Sequence, residues 1–221
     1  ALLNASYEDY KNVGSILEKH SRLIEELRQI QPSKQKDIEV LVDEMKATVE
    51  EDSNLIPFNL GHLDTFAGGM TRKELTVLGG RPGHGKTTLV INIVKGLIEQ
   101  GYTVMLFNRE MSNTEMLKKM VVMDSNSLKY GNIRRNDLSE NDKGEFELVS
   151  DKIKGNYKEL LMYDNVRTLD DCLREISKHK PDVVIDDYIQ LIEVQGVKEG
   201  RRFEIEKIMQ EYKWMCKQED C

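Results

Sequence analysis

Residues 80–87 read Gly80-Arg81-Pro82-Gly83-His84-Gly85-Lys86-Thr87, a complete G-x-x-x-x-G-K-[ST] string, and a second threonine, Thr88, follows it. The glycines let successive backbone N–H groups turn inward around phosphate oxygens with no Cβ in the way. Lys86 brings a point charge to the outer phosphates, and Thr87 brings a hydroxyl to Mg2+. A strand-like run, Glu74 to Gly79, leads into the loop, and an apolar helical run, Thr88 to Ile98, leaves it. The positive end of that helix then faces the same anion. This flanking pattern separates a phosphate cradle from a Gly-rich turn, and the chain is read as binding a nucleoside triphosphate. His84 occupies a variable position of the loop and is assigned no proton transfer.

Hydrolysis of a triphosphate needs two further groups, a carboxylate near the metal and a group that directs the attacking water. In open α/β sheets such groups stand at the carboxyl ends of strands. Asp186-Asp187 closes the apolar run Val183-Val184-Ile185. An acid there holds Mg2+, usually through its water shell, and the pattern alone does not choose between the two. Glu110 follows the run Thr103 to Asn108; taken by itself, a glutamate at a strand end is most simply a solvated side chain.

The elements that must carry these groups follow from periodicity. From Leu55 onward short apolar runs alternate with helical ones. Strands are expected over 74–79, 103–108, 159–163 and 182–186, and helices at about 88–99, 113–124, 140–154, 168–179 and 202–217. That alternation implies an α/β fold, a parallel sheet covered by helices on both faces. Ahead of it, residues 7–30 and 36–50 read as two amphipathic helices broken at Pro32-Ser33, a hairpin whose apolar stripes, Ile38, Leu41, Val42, Met45 and Val49 in the second, need a partner surface. Glu50 to Asn54 reads as a solvated linker. Two domains are therefore expected, a helical hairpin with linker over 1–52 and the α/β domain over 53–221. The chain begins at Ala1, not at methionine, as a fragment would.

Composition narrows the classes. With 32 Lys and Arg against 39 Asp and Glu, the net charge is −7, which is not the bulk signature of a nucleic-acid binder. Contact with DNA must then come from a local patch or from a surface shared between subunits. The basic pairs Lys118-Lys119, Arg134-Arg135 and Arg201-Arg202 are first read as solvated helix faces. The three cysteines show neither metal-ligand spacing nor a pairing pattern, as ordinary reduced thiols would. No apolar run approaches the roughly 18 residues of a membrane span, and no signal peptide opens the chain, so a soluble cytoplasmic protein is expected.

Several blocks in order resemble the ATPase domain of DnaB-type hexameric replicative helicases, a group with a RecA-like P-loop fold. The resemblance covers about 55–221. Ile56 to Asp64 and Gly68-Gly69-Met70 resemble the family's lead-in. Gly80 to Thr88, with its Arg81-Pro82 pair, resembles the family's nucleotide loop. Phe107-Asn108-Arg109-Glu110-Met111-Ser112 resembles its F-S-L-E-M-S block, and Asp187-Tyr188-Ile189-Gln190-Leu191 its D-Y-L-Q-L block. Two departures stand out. Phe58-Asn59 replaces the usual Thr-Gly, which questions the local turn, and Arg109 replaces the usual Leu, which puts a cation near the γ-phosphate.

The resemblance implies the following expectations. ATP and Mg2+ are the cofactors, Glu110 is the catalytic base, and Asp187 is the metal-holding acid. Lys86 and Thr87 contact the β- and γ-phosphates and Mg2+. The chain is a motor that moves 5′-to-3′ on single-stranded DNA as a homo-hexameric ring, with a primase and a helicase loader as partners, in a bacterial or phage-infected cell. The hairpin clasps the adjacent subunit. The strand that follows the Asp187 strand and its helix, an arginine finger and the DNA-gripping loops are expected beyond residue 221. The alternative is a RecA-like ATPase that does not unwind DNA, such as a recombinase or an oligomer locked by ATP.

Overall fold

A computed structural model of the chain describes residues 36–50, 55–195 and 200–221. The chain divides into two units, residues 1–53 and 54–221. The expected helix over 7–30 and most of the linker lie outside the described residues. Within the first unit, helix α1 (Ile38–Glu50) forms where the three- and four-residue spacing predicts it. Ile38, Leu41, Val42 and Met45 are all exposed on it.

The second unit opens with a short antiparallel pair, β1 (Leu55–Ile56) and β2 (Met70–Thr71), around helix α2 (Gly61–Ala67). Here the Phe58-Asn59 departure is absorbed. Asn59 takes a φ of +58°, a left-handed conformation that asparagine tolerates. The Phe58 and Leu60 N–H groups both donate to the Asp64 carboxylate, at 2.6 and 2.8 Å, and close the turn. Phe58 itself is buried.

There follow α3 (Lys86–Glu99), β3 (Val104–Asn108), α4 (Asn113–Asp124), α5 (Tyr130–Arg135), α6 (Glu140–Asn156), β4 (Leu160–Tyr163), α7 (Leu169–His179), β5 (Val183–Asp187), a 3-10 turn (Ile189–Leu191) and α8 (Arg201–Glu219). β4, β3 and β5 pair in that order, all parallel. Every residue of β3 is buried, as a central strand with both faces covered requires.

Strand alternation sends successive residues of β3 into two cores. Val104 and Leu106 pack with Val90, Val94 and Leu97 of α3, Met116 and Met120 of α4, and Val149 and Ile153 of α6. Met105 and Phe107 pack on the opposite face with Cys172 and Ile176 of α7 and with Ile208, Tyr212 and Met215 of α8. Local signals start the helices: Ser112 and Thr168 accept N–H bonds from Glu115 and Asp171, and Ser139 with Asp142 completes a capping box.

One expected element differs. Glu74 to Gly79 forms no strand; Val77 and Leu78 stand 62% and 45% exposed. A strand exists only where a neighbour completes its ladder. Among the described residues β3 is flanked by β4 and β5, β5 is an edge, and nothing pairs with 74–79. The segment is fastened instead at its start, where the Lys73 N–H donates to the Cys221 carbonyl at 2.8 Å and the Lys213 ammonium pairs with Glu74.

Candidate functional site

The loop before α3 has the shape its glycines permit. Gly83 and Gly85 take φ values of +77° and +81°, a region open to glycine at little cost. The His84 N–H donates to the Arg81 carbonyl at 3.3 Å, and Gly85 is the N-cap of α3. Gly80, Arg81, Pro82, Gly83, His84, Gly85 and Thr88 are all exposed, so the loop lies open. Lys86 folds back over it. Its ammonium donates to the Gly80 and Arg81 carbonyls, at 3.0 and 3.3 Å.

Thr87 and Asp187, a hundred residues apart in sequence, meet. The Thr87 hydroxyl donates to the Asp187 carboxylate at 2.8 Å. Asp187 is only 5% exposed, and among the described residues no cation pairs with it. The parity of β5 separates the two candidate acids. Asp187 faces α3, whereas Asp186 points to the opposite core. There Asp186 receives the Arg109 guanidinium and, at 2.5 Å, the Tyr212 hydroxyl. Burial pushes the Asp186 carboxyl above the usual carboxylate range, against the pull of Arg109 and Tyr212. The Tyr212 hydroxyl is driven well up by the same burial and by the Asp186 charge.

This corrects the expectation for Arg109. Its side chain is 4% exposed, paired with Asp186, set 5.4 Å from the centre of the Phe107 ring, and bonded to the Cys172 sulfur at 2.9 Å. A guanidinium shut into that core brings no cation to the phosphate loop. Arg201 is likewise engaged locally, donating to the Ile192 carbonyl at 3.0 Å and to other carbonyls of the 3-10 turn.

Glu110 lies in the link between β3 and α4. In the parallel register Asn108 stands opposite Asp187, and the Arg109 N–H donates to the Asp187 carbonyl at 3.0 Å. Glu110 therefore emerges two residues past the point where β3 runs level with Asp187. Its side chain is exposed, but its backbone is bracketed. The buried Asn108 amide donates to the Met111 carbonyl at 2.7 Å, Ser112 caps α4, and the Asn113 N–H donates to Asp164 at 2.8 Å. Sequence reasoning missed the bracket from Asn108 and the buried set Arg109, Asp186, Tyr212 and Cys172. Strand parity was the available signal, because it puts Asp186 and Asp187 on opposite faces.

The residues fit Mg2+. Among the described residues no group of three or more His, Cys, Asp or Glu could hold a metal by itself. A magnesium ion needs no such cage; it keeps several waters and binds one or two protein oxygens together with phosphate. The Asp187 carboxylate and the Thr87 hydroxyl offer that set beside the loop. No helix among the described residues is long and apolar enough to cross a membrane.

Residues 56–221 match the family described as the DnaB-like helicase C-terminal domain. The chain is 26% identical over 225 residues to the replicative DNA helicase DnaB of Helicobacter pylori, covering 99% of this chain and 42% of that protein. It is 30% identical over 163 residues to a probable plasmid replicative DNA helicase of Chlamydia psittaci, covering 69% of this chain and 34% of that one. The chain thus spans less than half the length of these relatives. Its fold is similar to that of a separately solved ATPase domain, with a TM-score of 0.72 at 23% identity, covering 85% of this chain and 69% of the other. It is also similar to a DnaB-like replicative helicase solved in a study of its interactions with primase, with a TM-score of 0.70 at 24% identity, covering 95% and 52%.

Proposed function

Because the chain belongs to the DnaB-like helicase C-terminal domain family, we propose that it is the ATP-hydrolysing motor of a replicative DNA helicase. The observation that carries this reading is the meeting of Thr87 with a buried Asp187 at an open phosphate loop. The bound metal would supply charge neutralisation for the β- and γ-phosphates. Lys86 leaves the Gly80 and Arg81 carbonyls and turns its ammonium to the same phosphates. The N–H groups of Gly83, Gly85 and Lys86 and the start of α3 cradle the anion. Glu110, free of any side-chain partner among the described residues, orients and deprotonates the water that attacks the terminal phosphorus.

The motor works as a homo-hexameric ring that translocates 5′-to-3′ on single-stranded DNA, in the cytoplasm. Primase and a loader are its partners; the similar DnaB-like helicase solved in a study of its interactions with primase supports the first. The exposed apolar stripe of α1 docks on the neighbouring subunit, which accounts for leaving Ile38, Leu41 and Met45 uncovered. The test is strand displacement from a forked duplex by the intact protein. Unwinding that needs ATP and a free 5′ tail is expected. ATP turnover without unwinding in either polarity, and no rings in negative-stain images, would turn the assignment to a RecA-like ATPase of another kind.

A further inference from the structure

Two acids carry the proposed chemistry, Asp187 for the metal and Glu110 for the water, and neither is held near the other by its own side chain. Their neighbours in sequence are. Arg109 precedes Glu110, Asp186 precedes Asp187, and the Arg109 guanidinium is bound to the Asp186 carboxylate with both side chains almost wholly buried, 4% and 6% exposed. We infer that the Arg109–Asp186 ion pair positions Glu110, setting its spacing from Asp187 through the sheet. This rests on the reading of Glu110 as the group that directs the attacking water.

The surroundings make the pair a clamp. Asp186 also accepts the Tyr212 hydroxyl from α8. Arg109 lies against the Phe107 ring, and its second terminal nitrogen reaches the Cys172 sulfur, itself bonded to the Thr168 carbonyl at the start of α7. The guanidinium is thus fixed from β3, β5, α7 and α8 together. On the other side of the Arg109 Cα, its N–H is bonded to the Asp187 carbonyl. The residue before Glu110 is consequently tied by main chain and side chain to the two residues that end β5.

An ion pair is a costly way to fill a core. Its desolvation can exceed its attraction, and apolar residues of similar volume often serve stability as well. The Arg109 Nε, moreover, is buried without a hydrogen-bond partner. What the pair adds over apolar packing is direction: a bond between two defined atoms, where apolar side chains would slide. Catalytic geometry is sensitive at that scale.

The test is steady-state ATP hydrolysis by the intact protein carrying Arg109→Leu and Asp186→Leu together, which replaces the pair by apolar packing, with Tyr212→Phe as the milder variant. A fall in kcat of roughly ten- to a hundredfold is expected for the double variant, the range that a misplacement of about 1 Å produces. KM for ATP and the Kd of a fluorescent ATP analogue should stay within about twofold, since the phosphate loop is untouched. Combined with Glu110→Gln, the double variant should cost nothing further, because the group it positions is already gone. A wild-type kcat in the folded double variant overturns the inference, and so does an equal further loss in the Glu110→Gln background. Should the double variant fail to fold, Tyr212→Phe decides: a reduced kcat at unchanged KM supports the clamp, and an unchanged kcat overturns it. Glu110→Gln at wild-type turnover would instead overturn the role of Glu110 itself, and this inference with it.

Discussion

Substitution of Lys86 by alanine separates the loop's own stability from its affinity for phosphate. The Lys86 ammonium bridges the Gly80 and Arg81 carbonyls at the surface, at 3.0 and 3.3 Å. Each such bond exchanges with water, so their joint loss costs about 1 kcal/mol or less. With a midpoint shift of about 2–4 °C per kcal/mol for a chain of this size, melting should fall by no more than a few degrees. With nucleotide, the same ammonium must leave those carbonyls for phosphate oxygens, a gain of charge-assisted over neutral acceptors. Such bonds are worth about 1.5–3 kcal/mol net. Each 1.4 kcal/mol is tenfold in affinity, so binding should weaken by roughly ten- to 150-fold. Turnover should fall further, because the negative charge that develops on the leaving β-phosphate oxygen as the terminal P–O bond breaks would lose its cation. The assay pairs thermal unfolding with titration of a fluorescent ATP analogue on one preparation. A Kd within about threefold of wild type, with the melting point intact, would refute the account of the loop, because the cation would then not face phosphate.

Four other outcomes are expected. Glu110→Gln should bind nucleotide and assemble as the wild type does while hydrolysis falls to a small residual rate, measured by phosphate release; turnover at the wild-type rate removes Glu110 from the chemistry. In Gly96→Ala the added methyl would overlap the Asn59 side chain, where a Cβ would come within 2.6 Å of the Asn59 Cγ. Overpacking of about 1–3 kcal/mol set against a helix-propensity gain of about 1 kcal/mol leaves a net loss of up to about 2 kcal/mol. Gly144→Ala, in α6 with open space around it, should stabilise the protein, and equal melting points for the two variants would contradict this packing. Burial alone would raise the Asp182 carboxyl, but the Arg72 guanidinium and the Thr103 N–H outweigh it and hold the group below its ordinary value. That stability is present above the unfolded value of about 3.9 and lost as the pH falls through the lower folded value. Asp182→Asn should therefore lower the melting point near neutrality, with the difference closing in acid; a constant difference at every pH would count against the pair. Leu41→Glu with Met45→Glu should reduce the ring population on sizing without lowering the melting point, since both side chains are exposed; unchanged assembly would disprove docking through α1.

Local signals made most of the fold legible. The spans of α4, α7 and β3 could be read to within a residue or two, because buried periodicity and the caps Ser112 and Thr168 act over a few residues. The turn of the loop ahead of α3 was legible for the same reason, since the glycines that shape it, Gly83 and Gly85, are contiguous with the helix they start. The segment 74–79 was misjudged because a strand is a property of its neighbours, and an apolar run does not say what completes its ladder. Arg109 was misplaced for a related reason. Its partner lies at Asp186 and its lid at Tyr212, and nothing in the neighbouring residues reports contacts formed by folding. The choice between Asp186 and Asp187 needed the family's D-Y-L-Q-L block, although strand parity and the side of the sheet that α3 occupies point to the same residue. The antiparallel β1–β2 pair, two residues on each side, was too short for any periodicity to mark.

The central claim is that a cation, a metal-holding acid and a water-directing acid converge on one terminal phosphoryl group. A crystal structure of the protein with Mg2+ and a non-hydrolysable ATP analogue tests it most directly. Lys86 should then contact the β- and γ-phosphates, Thr87 and Asp187 should flank the metal, and one water should bridge the Glu110 carboxylate to the γ-phosphorus. A Glu110 carboxylate more than roughly 10 Å from that phosphorus, beyond the reach of a single bridging water, would contradict it.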